Sequence, residues 1–116
     1  MEETTLVNVK VSHIRPMYQN LREWMNDESN VYIGRMGCVF IDGARYPKQA
    51  SIWANPFKCP RDGSLEEVLV KYERHIKHLI ATQPEIYKLS HLRGKRLGCW
   101  CYPAPCHGAV LIKLLE

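Results

Sequence analysis

The sequence predicts one α/β domain over residues 1–116: a small three-layer, Rossmann-like unit with a short, largely parallel sheet and helices packed on it. Three observations predict it. β-prone runs alternate with segments of helical period along the chain. Hydrophobic residues make up 46 % of the 116 residues and charged residues 24 %, a balance that can bury a core without metal or disulfide support. No internal repeat, low-complexity stretch or linker divides the chain.

The elements follow in order. Thr5–Val11 alternates, with Val7, Val9 and Val11 on one side, and is expected to be a strand. A helix is expected over about 16–27: Pro16 suits a first helical position, and Met17, Tyr18, Leu21, Trp24 and Met25 form an apolar stripe. Val31–Arg35 and Cys38–Ile41 are short β-prone runs, and 42–62 reads as a long loop, either functional or mobile. Ser64 with Glu67 forms a capping box before the clearest helix, where Leu65, Val68, Leu69, Tyr72, Ile76, Leu79 and Ile80 recur at helical spacing. Pro84 ends that helix and is expected to start a shorter one carrying Ile86, Leu89 and Leu92, which Gly94 stops. Lys95–Cys101 reads as a strand, Pro103 and Pro105 force a turn, and Val110, Leu111, Leu114 and Leu115 belong to a last amphipathic helix.

A formal charge of +4 permits a phosphate-bearing partner without indicating one, and the cluster Arg93, Lys95 and Arg96 reads as solvated surface. No apolar segment follows the acidic Met1-Glu2-Glu3 and none is long enough to cross a membrane, so an intracellular, non-membrane protein is expected. The cysteines, five in number, would then be reduced.

Chemistry concentrates in Cys99-Trp-Cys101-Tyr-Pro-Ala-Pro-Cys106-His107-Gly108. A strand would end near Cys101 and a helix begin near Cys106, the junction where free amides and the helix dipole favour anions and lower a thiol's pKa. The first possibility is a pocket for a nucleotide or other anionic small molecule. In its catalytic form, Cys106 is an activated thiolate and His107 a general acid–base of a hydrolase or transferase. The second is a zinc module contacting protein or nucleic acid, with Cys99, Cys101, Cys106 and His107 as ligands and Cys59 as a substitute. Its spacing is awkward, since Cys99 and Cys101 would stand about 6.6 Å apart along a strand. Two zinc-bound sulfurs need roughly 3.8 Å, given Zn–S near 2.3 Å. The third makes Cys99 and Cys101 small buried hydrophobes, with Trp100 on the opposite face.

Val31-Tyr-Ile-Gly-Arg35, Trp53-Ala-Asn-Pro-Phe57, Arg61-Asp-Gly63, Leu92-Arg-Gly-Lys-Arg-Leu97 and Cys99-Trp-Cys-x4-Cys-His-Gly108 together resemble the domain-of-unknown-function family 4326 of phages, large DNA viruses and bacteria. The resemblance covers most of the chain. It implies a class and a common site but no activity, and a location in the host cytoplasm where the protein is viral. The site it implies gathers Asn8, Arg35, Asn55, Cys101, Cys106, His107 and Gly108. Arg35 is suited to fork onto a phosphate or carboxylate, and Asn55 to offer an amide to a base or sugar. Two departures stand out: Ala109 occupies the position of a usual aspartate, and the stretch between Arg35 and Trp53 is longer than usual.

Overall fold

The computed structural model describes residues 3–102 and 104–116, and the fold is mixed α/β around a small parallel sheet. Its strands are β1 (Thr5–Asn8), β2 (Asn30–Tyr32) and β5 (Arg96–Cys99), with β5 in the centre. Both neighbours run parallel to β5, so that Leu6 and Val31 flank Leu97 while Val7 and Tyr32 flank Gly98.

The alternation of β5 separates two apolar clusters. Leu97 and Cys99 join Ile33, Tyr72, Ile76, Leu92 and Leu111 beneath helices α3 (Leu65–Thr82) and α4 (His107–Leu115). Gly98 faces the second cluster, built from Val9, Ile14, Leu21, Trp24 and Tyr32. A methyl group at Gly98 would collide with the Trp24 ring and with Val9, so only a glycine lets that indole lie against the central strand.

Several boundaries differ from expectation, each for a local reason. β1 stops at Asn8, whose side-chain oxygen accepts from the Lys10 amide; a short helix α1 (Val11–Ile14) follows, so Val11 is not in the strand. Helix α2 runs from Leu21 to Asn26 and does not begin at Pro16. Asn20 caps it by accepting from the Glu23 amide, and the Glu23 carboxylate accepts from the Gln19 amide. Met17 therefore falls outside the helix and is exposed, while Trp24 is in the core as expected.

The long loop contains structure. β3 (Val39–Ile41) pairs antiparallel with β4 (Ala44–Tyr46) across Asp42-Gly43, both at positive φ (52° and 80°). That is the two-residue hairpin turn favoured by Asp-Gly, and it occupies the stretch that looked long.

Helix α3 opens on the expected capping box, with the Ser64 hydroxyl and Glu67 carboxylate each accepting from the other's amide. It ends at Thr82. The second helix expected after Pro84 is reduced to a 3₁₀ turn over Leu89–Leu92, because the Gln83 carbonyl accepts the Ile86 and Tyr87 amides and closes a turn there. Gly94 takes the expected positive φ of 72°. Strand β5 stops at Cys99, two residues before the expected end, and Cys101 is exposed. Of the two prolines expected to turn the chain, Pro103 lies outside the described residues. No helix among the described residues is long and apolar enough to cross a membrane.

Candidate functional site

Beyond the carboxyl ends of β2 and β5 the chain leaves a cleft of about 410 Å³. Four segments enclose it. Gly34 and Arg35 leave β2, Cys99–Cys101 leave β5, Asn55 and Phe57 come from the long loop, and Cys106 and His107 open α4. Leu65 and Val68 of α3 close the apolar side.

Tyr32 sets the Arg35 side. Its hydroxyl donates to the Arg35 carbonyl at 2.6 Å and accepts from the Trp100 indole N–H at 2.8 Å, tying the ends of β2 and β5 together. Burial pushes the Tyr32 pKa up, so the phenol stays a donor. A side chain at Gly34 would run into the Tyr32 ring. Arg35 itself is exposed and, among the described residues, has no carboxylate partner. Its guanidinium only leans on the Asn55 and Phe57 carbonyls at 3.5 and 3.4 Å.

Asn55 is buried. Its Oδ1 accepts from the Phe57 amide at 2.9 Å, while its Nδ2 has no hydrogen-bond partner among the described residues and is not sealed from solvent. The residue lines the cleft.

Cys106 is the N-cap of α4 and His107 its first residue. The Cys106 and Cys99 sulfurs lie 3.4 Å apart, both buried, and share a proton. The bond from Cys106 draws the Cys99 thiol down to about 6; burial opposes this, and the Tyr102 and Cys101 amides assist. Cys106 is pushed up by the same bond, by burial and by the Cys99 charge, against the pull of the Gly108 and Ala109 amides. The pair therefore gives up one proton easily and holds the other.

The His107 Nε2 meets the Ile33 carbonyl at 2.7 Å. A carbonyl only accepts, so Nε2 carries the hydrogen and Nδ1 is left as the acceptor in the neutral ring. Burial lowers the His107 pKa; the Ile33 bond opposes the shift and Arg35 reinforces it. The ring also stands edge-on to Tyr72, 5.0 Å between centroids.

Of the residues expected to form a site, Arg35, Asn55, Cys101, Cys106 and His107 thus line one cleft, together with Cys59 and Cys99. Asn8 stands outside it: Nδ2 donates to the Tyr102 carbonyl at 2.7 Å and Oδ1 takes the Lys10 amide, which holds the loop after β5. Gly108 is a close approach, since a Cβ there would collide with Leu6 and meet Ile33 at 2.9 Å. Among the described residues no three His, Cys, Asp or Glu side chains are grouped to hold a metal ion. Sequence inspection passed over Phe57, Leu65 and Val68 as cleft walls, although helical period already placed Leu65 and Val68 on the buried stripe of α3.

The family model for a domain of unknown function, DUF4326, matches residues 17–116. The chain belongs to the DUF4326 family. This DUF4326 chain is 33 % identical over 112 residues to the uncharacterised protein R718 of Acanthamoeba polyphaga mimivirus, covering 87 % of this chain and 80 % of that protein. It is also 36 % identical over 56 residues to an uncharacterised 12.4 kDa protein from the nrdA-td intergenic region of Enterobacteria phage T4, 48 % of this chain and 49 % of the phage protein. No solved structure matches this DUF4326 chain.

Proposed function

We propose that the cleft binds a small anionic molecule, a nucleotide being the class that fits, beyond the carboxyl ends of β2 and β5. The observation that carries this reading is Arg35. It is a guanidinium with no carboxylate partner among the described residues, standing at a cleft that also contains the first residues of α4. A phosphate between that fork and the α4 amides would gain charge-assisted bonds from both. Phe57, Leu65 and Val68 offer an apolar wall to a ring, and the Asn55 Nδ2 offers a donor to its edge. Hydrolase or transferase chemistry on such a ligand falls to the Cys99–Cys106 pair as nucleophile and to Nδ1 of His107 as base. In the same reading, the parallel sheet with an apolar cluster on each face is a reduced three-layer Rossmann-like unit, whose ligands sit beyond strand carboxyl ends.

The alternative, a zinc module contacting nucleic acid, draws less support. Its basic loop is engaged internally: Arg96 pairs with Asp27 at 3.3 Å and Lys95 donates to the Glu28 carbonyl.

The test is calorimetric titration of reduced protein with pyrophosphate and with nucleoside mono- and diphosphates. Saturable binding is expected, weakened about ten- to a hundredfold in Arg35→Ala, as loss of a charge-assisted contact implies. The melting temperature of the free variant should be unchanged, because Arg35 is exposed. Equal affinity in the variant, or no saturable binding of any probe, refutes the proposal.

A further inference from the structure

We propose that Cys99 and Cys106 are a reversible redox pair, closing to a disulfide when a small hydroperoxide enters the cleft. The proposal goes beyond the anionic-ligand reading and does not require it.

Geometry selects this pair. Its sulfurs are 3.4 Å apart, against about 2.05 Å in a disulfide, so closure needs an approach of roughly 1.4 Å. That approach meets no core packing in the connection, where Cys101, Tyr102, Ala104 and Pro105 are all exposed. Cys99 ends the central strand and Cys106 caps α4. No other two cysteine sulfurs among the described residues are within bonding reach; Cys38, Cys59 and Cys101 are exposed single thiols.

The surroundings select the oxidant. Cys99 and Cys106 both line the cleft yet are only 1 % and 3 % exposed, which keeps a bulky disulfide from the sulfurs and leaves the cleft as the approach for a small oxidant. Amides of Cys101 and Tyr102 face the Cys99 sulfur and favour its anionic form. The Cys99 thiolate attacks one peroxide oxygen, the O–O bond breaks, and the departing hydroxide takes up a proton to become water. Cys99 is then a sulfenic acid. The Cys106 sulfur attacks the Cys99 sulfur, the S–O bond breaks, and the hydroxyl leaves as water with the Cys106 proton. Two thiols and one hydrogen peroxide thus give one disulfide and two waters, with two electrons passing from sulfur to oxygen. An external dithiol reverses the step by exchange.

The experiment treats the folded full chain with one equivalent of hydrogen peroxide, quenches in acid, unfolds it and alkylates every remaining thiol. Trypsin leaves Cys99, Cys101 and Cys106 together in the segment Leu97–Lys113. The expected product carries a single alkyl group, on Cys101, and lacks the two thiol hydrogens until a dithiol is added. Fragment masses place the link between Cys99 and Cys106, and Cys101→Ala should form it equally well. Alkylation of both Cys99 and Cys106 while the exposed thiols are oxidised overturns the proposal, as does uncrosslinked sulfinic acid at Cys99. The two proposals fail separately: crosslinking is read with no nucleotide present, and nucleotide binding is measured on fully reduced protein.

Discussion

A second proton on the His107 ring, at Nδ1, has a cost that makes stability depend on pH. The ring is partly buried and donates to the Ile33 carbonyl, so a second proton must enter a site that burial and Arg35 both make unfavourable. The folded pKa therefore lies below the unfolded value of about 6.5, and the unfolded chain binds protons first as pH falls. The stabilisation from neutral His107 is present above that unfolded value and declines below it. Urea unfolding of the wild type should begin to lose stability as pH falls through about 6.5, ahead of the carboxylate region near pH 4. His107→Gln should flatten that part of the profile, and an unchanged slope in the variant would place the His107 proton elsewhere. Ala109, two residues on, is exposed at the third position of α4.

At the level of elements, the β3–β4 turn separates backbone strain from packing. Gly43 has φ 80° and open space around the position of a side chain. Gly43→Ala should cost about 1 kcal/mol through the left-handed backbone alone, and Gly43→Asn less, because Asn tolerates that conformation. Equal urea midpoints for both variants would contradict this. The same hairpin illustrates what sequence conveys. Asp42-Gly43 is a strong local signal, but the prolines around it mask the period of β4, so the sequence alone reads as loop there. Asn20-x-x-Glu23 was likewise a readable cap, outweighed by Pro16. Where local chemistry was unopposed, as in the Ser64–Glu67 box, Gly94 and the start of α4 at Cys106–His107, boundaries could be read directly. The cleft was harder. Arg35 and Asn55 come close where the Ser51 amide donates to the Gly34 carbonyl across a long sequence separation, and the Cys99–Cys106 contact spans a loop whose path has no periodic signature.

For the whole molecule, both apolar clusters rest on β5, so they should unfold together. Trp24 lies in one cluster and Trp53 in the other, which makes tryptophan fluorescence sensitive to each. Leu97, fully buried in the central strand, should cost about 2–5 kcal/mol on replacement by Ala. Fluorescence and far-ultraviolet dichroism should still give coincident urea transitions in that variant. Separated transitions would show that each face of the sheet holds its structure independently.

The middle position of β5 also orders events during synthesis. β1 and β2 have no ladder with each other, and the strand between them follows the hairpin and the long helix. While the ribosome is still translating that intervening stretch, neither early strand has its neighbour, and their amides face water. The parallel sheet therefore assembles only once the segment from Arg96 emerges.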